Sequence, residues 1–175
     1  MRTLTTTLAF VVLVFGLSGC KPSPQTGHTV AASGKQSTSI DGVPAEVLAV
    51  AKAAQPELEV SEVEYETRDG NEYYDVGGTL PDGSELELDM TMIDGQWTVV
   101  ETQRDIEMGT VPETVADALL SAKPAWTTRR IIESDQGDGV IVYEFFGSDG
   151  DQEEVKVEVK LEAGQAELLV DEWIH

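Results

Sequence analysis

Between Asp41 and His175 the spacing of hydrophobic positions changes period twice, in the same order each time. Val43, Val47, Val50, Ala51 and Ala54 fall at i, i+4, i+7, i+8 and i+11, which is one face of an α-helix. Val111, Val115, Ala118, Leu119 and Ala122 repeat that spacing 68 positions later. Pro44 and Pro112 suit a first helical turn, whose N–H groups have no intrahelical partner, while Pro56 and Pro124 stop each run. Lys52 and Lys123 favour the last turn. The spacing predicts two helices of about three turns each.

After each helix the period becomes two. In the first copy Val63 and Tyr65, then Tyr74 and Val76, then Leu86, Leu88, Met90 and Met92, then Trp97 and Val99 alternate with polar residues, which predicts four strands. In the second copy the offset grows to 69 through one residue gained near Gln136 to Gly139, and Val155, Val157, Val159 and Leu161 take the inward third-strand positions. Pro81-Asp82-Gly83, Asp94-Gly95-Gln96, Asp149-Gly150-Asp151 and Ala163-Gly164-Gln165 supply turn chemistry. The expected fold class is therefore α+β, as two tandem units, each one helix packed on its own four-stranded antiparallel sheet. Their boundaries are 41–106 and 107–175. A unit of about 65 residues buries only roughly 60% of its unfolded surface, so the two are expected to pack side by side.

These repeats resemble the PepSY-like family of bacterial exported proteins, related in fold to the β-lactamase-inhibitory protein. The resemblance rests on the Val-Pro openings, the proline after each helix, and GNEYYDV (Gly70 to Val76) against GVIVYEF (Gly139 to Phe145). It rests also on the turns DGQW (Asp94 to Trp97) and AGQA (Ala163 to Ala166), and it covers Val43 to His175. It implies a non-enzymatic envelope protein that binds or inhibits another protein. The inhibitory group uses disulfides that a chain with one cysteine lacks, and no catalytic residue carries over.

The N-terminus says where such a protein would work. Arg2 precedes an apolar run from Leu8 to Leu17, too short to cross a hydrocarbon core of about 30 Å, so residues 1–19 read as a signal peptide. Leu17-Ser18-Gly19-Cys20 resembles the lipobox of bacterial lipoproteins, which implies a diacylglyceryl group on the Cys20 thiol. The expected partner at that end is the membrane, with the protein facing the periplasm or the cell exterior. Residues 20–40 are rich in Ser, Thr, Gly and Pro and contain no acidic residue, the composition of a flexible tether.

Charge narrows the ligand. The chain has 11 Lys+Arg and 33 Asp+Glu; loss of residues 1–19 removes only Arg2 and leaves a net charge of −23. Without a basic stripe, nucleic acid is excluded as a partner. With Cys20 assigned to lipid, His28 in the tether and His175 terminal, no nucleophile–base pair or zinc set is available, so neither an enzyme nor a cofactor is expected. A weaker alternative is calcium at the acidic turn of Asp149, Asp151 and Glu153, with oxygens at alternate positions but no EF-hand pattern. The loop Asp135 to Asp138 is of the same kind.

Strand parity then selects a surface. If Tyr74, Val76, Tyr143 and Phe145 face the helices, Tyr73, Val140, Val142 and Phe146 point the other way, as do Val100 and Leu169. The third strands add Glu85, Glu87 and Asp89 in the first copy and Lys156, Glu158 and Lys160 in the second. An apolar strip among mixed charges has the composition of a protein interface. Tyr73, Val142, Phe146, Lys156, Lys160 and Leu169 are accordingly the expected contacts with an envelope or extracellular protein. The competing reading buries them between the units or under the Trp126 and Trp173 segments. Arg129 and Arg130 read as ion-pair formers.

Overall fold

The computed structural model describes residues 34–68, 70–150 and 153–173. Cys20, His28, Asp151 and His175, and the readings that rest on them, lie outside the described residues. In chain order the elements are β1 (Gln36–Ser37), α1 (Ala45–Ala54), β2 (Glu59–Arg68), β3 (Asn71–Thr79), β4 (Glu85–Ile93) and β5 (Gln96–Asp105). They continue with α2 (Glu113–Ala122), β6 (Trp126–Asp135), β7 (Val140–Asp149), β8 (Val155–Glu162) and β9 (Gln165–Leu168). Single 3-10 turns at Ile40–Gly42 and Met108–Thr110 lead into the two helices. Among the described residues no helix is long and apolar enough to cross a membrane.

The expectation of two units with separate four-stranded sheets is overturned: all nine strands form one antiparallel sheet in the order β1 to β9. The joint is β5 with β6, where Thr102, Gln103, Arg104 and Asp105 pair with Asp135, Ser134, Glu133 and Ile132. Arg104 reaches Glu133 at 2.5 Å and Arg130 reaches Asp105 at 2.8 Å across it. These ion pairs are largely exposed and contribute about 0–1 kcal/mol each. The larger effect is that two sheets would expose two additional edges of unpaired N–H and C=O groups, which the junction removes. A second departure is β1, which lies in the stretch read as tether; Gln36 and Ser37 pair with Tyr65 and Glu64 of β2.

Both helices lie on one face of this sheet. Pro44 and Pro112 stand immediately before them, and the Pro carbonyls accept the first bonds, from Val47 and Leu48 and from Val115 and Ala116. Val47 and Ala51 of α1 pack on Val63, Val76, Leu88 and Met90; Val115 and Leu119 of α2 pack on Ile131, Tyr143, Phe145 and Val159. Each fully buried Val, Leu or Phe stabilises the fold by roughly 1.5–3 kcal/mol relative to exposure. Because side chains alternate along a strand, the neighbours of these residues project from the opposite face. Gly78 and Gly147 occupy matching bulge positions. A Cβ there would lie 2.3 Å from the Glu59 carbonyl oxygen and 2.1 Å from that of Thr127, so only glycine lets the strands approach.

Candidate functional site

The face opposite the helices carries an unexpected row of acids. Glu64 of β2 stands opposite Asp75 of β3, Asp75 opposite Asp89 of β4, and Asp89 opposite Glu101 of β5. Glu87, two residues before Asp89, shares this face and stands opposite Gly77. Like charges directly opposite on a sheet are destabilising, by amounts comparable to the roughly 0.2–1 kcal/mol of favourable pairs. Here the effect is amplified by burial, since Asp75, Asp89, Glu101 and Glu66 are each no more than 6% exposed.

Each acid is only partly compensated. Lys35, just before β1, brings its Nζ to 2.6 Å from Asp75 Oδ2 and 3.8 Å from Glu64 Oε2. Glu101 Oε1 accepts from Ser134 Oγ and, at 3.1 Å, from Gln103 Nε2. Arg68 lies 3.5 Å from Glu66 Oε1, whereas Glu66 Oε2 and Asp89 Oδ1 are buried without a hydrogen-bond partner. One oxygen from each of Asp75, Glu87 and Asp89 lies within 4.8 Å of the others.

The titration of the row follows from this placement. Burial, reinforced by the charges of Asp75, Glu101 and Glu87, pushes the Asp89 carboxyl up to about 10. Burial and then the Asp75 charge push Glu87 up to about 7, with Lys35 opposing. Burial also raises Asp75, against the bond from Lys35. Burial alone would depress Lys35, but the bond to Asp75 and the charges of Asp75, Glu87 and Asp89 reverse this and raise it. Several perturbed carboxyls in one place mark a candidate functional site.

Glu87 opens onto a cleft of about 270 Å³ that is also lined in part by Glu62, Gly77, Gln103 and Arg130. The Glu62 side chain lies over Gly77, where a Cβ would stand 2.9 Å from Glu62 Cγ.

The residues expected from sequence to contact a protein partner are placed differently. Tyr73 and Val142 are buried, with Arg68 stacked 4.3 Å from the centre of the Tyr73 ring. Phe146 is half-buried beneath Arg130. Lys156 is held by Glu144, Glu158 and, at 2.6 Å, Glu172, while the Trp173 backbone N–H donates to Glu158 Oε2 at 2.6 Å. The chain's own C-terminal segment therefore occupies this part of the face, so no open apolar strip forms there. Lys160 pairs with Glu162, and Leu169 is half-buried, its N–H bonded to the Glu158 carbonyl. Arg129 pairs with Glu154. Of the acidic-turn alternative, Asp149 is engaged by Lys123 at 3.3 Å and Glu153 is exposed. Asp135 and Asp138 cap their own turn by accepting from the N–H groups of Gly137 and Val140.

No protein-family model matches the chain, and no curated protein does. Among solved structures, the fold is similar to that of a DUF2874 family protein from Bacteroides uniformis. The identity is 17% and the TM-score 0.50, over 73% of this chain and 86% of that one. At this identity the likeness shows the fold alone and carries neither a function nor the PepSY-like resemblance.

Proposed function

We propose that this chain is a non-enzymatic lipoprotein of the bacterial cell envelope, anchored through Cys20, whose sheet face opposite the helices binds a positively charged group. The observation that carries the reading is the register of Glu64, Asp75, Asp89 and Glu101, which places four acids opposite one another on adjacent strands. A sequence optimised only for folding would not face acid with acid. Lys35 shows how a cation is received, since its ammonium binds Asp75 and Glu64.

Binding is the reading this arrangement favours, because acids facing one another on adjacent strands concentrate negative charge that a cation offsets. A protein partner fits the same reading, as the PepSY-like resemblance implies, if it presents a lysine or arginine to this face. The test measures binding of a short lysine-rich peptide, and separately of calcium chloride, to the full chain and to an Asp75→Asn/Asp89→Asn double variant at low and high salt. Binding of either probe that weakens with salt and is lost in the double variant is expected. Binding of neither, or binding that the variant retains, overturns the proposal.

A further inference from the structure

We propose that Asp75, Glu87 and Asp89 form a site for a hard divalent cation, calcium. This rests on the acidic-face reading above and names the ligand class of that face.

Three carboxylates near one another are common on an acidic protein. What separates these is that Asp89 is 94% buried and its Oδ1 has no hydrogen-bond partner. An ammonium already lies within the cluster and leaves that oxygen unpaired, so Lys35 does not complete the site. The oxygens are close enough to share an ion: one from each residue lies within 4.8 Å of the others, so a small side-chain adjustment brings all three onto one cation. Calcium is favoured over magnesium because it accepts several carboxylates in flexible geometry, whereas magnesium demands a near-ideal octahedron and gives up its waters reluctantly.

Charge balances as well. Three ionised carboxylates and Lys35 sum to −2, which a divalent ion neutralises. The cleft that Glu87 lines gives access to that ligand and room for the water ligands that complete a coordination number of 6–8. Lys35 then acts as a built-in competitor, because its Nζ sits on an oxygen of one of the three ligands.

The test is calcium titration of the EDTA-treated full chain by calorimetry, with magnesium in parallel. One calcium site with weaker magnesium binding is expected. Its affinity should fall by at least roughly tenfold in Asp89→Asn and in Glu87→Gln, through loss of ligand charge. It should tighten in Lys35→Met and be unchanged in Asp149→Asn, which probes the acidic turn. Circular dichroism checks folding; if a ligand variant does not fold, Lys35→Met decides, and an unchanged affinity there overturns the proposal. Absence of calcium binding up to about 10⁻³ M, the weak end of extracellular modules, also overturns it, as does full affinity in both ligand variants. In either case the lysine-rich peptide reports separately. Peptide binding lost with Asp75 and Asp89 leaves the acidic-face reading standing and defeats only the metal; no peptide binding defeats both.

Discussion

Replacing Asp89 by Asn should stabilise the metal-free protein, by an amount that grows with pH. In the folded chain the carboxyl is pushed up to about 10, against an ordinary value of 3.8, so folding between those limits takes up a proton. The native state binds more protons than the unfolded one, and stability therefore falls as pH rises through this window. Each pH unit above 3.8 costs about 1.4 kcal/mol, which amounts to on the order of 4 kcal/mol at pH 7. Asn has nearly the same shape, is neutral at every pH and avoids that cost. Its amide fits the pocket with some gain or loss of its own, but this does not vary with pH. The discriminating quantity is therefore the change in the difference between variant and parent, about 2 kcal/mol between pH 5.5 and pH 7. Glu87, pushed up to about 7, titrates in both proteins and largely cancels.

Urea unfolding in EDTA, followed by tryptophan fluorescence at the two pH values, measures this directly. A variant less stable than the parent at pH 7, or a difference that does not move with pH, would refute the account of Asp89 as a buried acid among acids. Calcium should then narrow the difference. At a hundredfold excess over the parent's Kd it stabilises the parent by about 2.7 kcal/mol and a variant of tenfold weaker affinity by about 1.4 kcal/mol.

Other consequences are simpler to state. Phe145→Ala empties the centre of the second cluster and should cost about 3–5 kcal/mol; because the sheet is continuous, signals from Trp97 and Trp126 should be lost together in urea, and two separate transitions would contradict the single-sheet fold. Gly147→Ala drives a Cβ into the Thr127 carbonyl and should cost about 1–3 kcal/mol by thermal or urea unfolding. Ala163 holds φ at 50° in a two-residue hairpin turn with Gly164, so Ala163→Asn should stabilise by up to about 1 kcal/mol on the same scale. Cys20→Ser should abolish metabolic labelling with palmitate and release the protein from the membrane fraction; retained label would end the lipoprotein reading.

Much of this acidic face was within reach of the sequence, and the part that was not has a definite physical origin. Helix period and Val-Pro openings located α1 and α2, and alternation located β2 to β5 and β8, because those signals come from burial on one face; β7 and β9 followed from their likeness to the first copy. Parity likewise sent Glu87 and Asp89 away from the helices, and Asp75, between inward Tyr74 and Val76, follows by the same rule. The missed step was register. The turn centred on Asp82 places residues equally distant on either side opposite each other, so Asp75 meets Asp89 and Gly77 meets Glu87. Sequence reading identified that turn without using it to pair the strands.

Two further features had no local signal. The turn at Asp94-Gly95 pairs Met90 with Val99 and, continued without interruption, would set Val100 opposite Asp89. A bulge shifts the register by one, so Glu101 lies there instead. Nothing in Val99-Val100-Glu101 marks that shift, and it turns an acid against an apolar neighbour into an acid against an acid. The β5–β6 junction is equally silent, because edge strands that pair and edge strands that stay apart have the same alternation. Both choices bear on the same place. The bulge delivers Glu101 to Asp89, and the junction brings Ser134 of β6 to bond Glu101 and hold it there. The expected two-unit architecture would have left Glu101 at a sheet edge, open to water and able to ionise at little cost. In the joined sheet it is buried, and its charge is one of those that push Asp89 up. Union of the two halves is thus what converts a solvated acidic strand into a buried cluster whose members raise one another's affinity for protons.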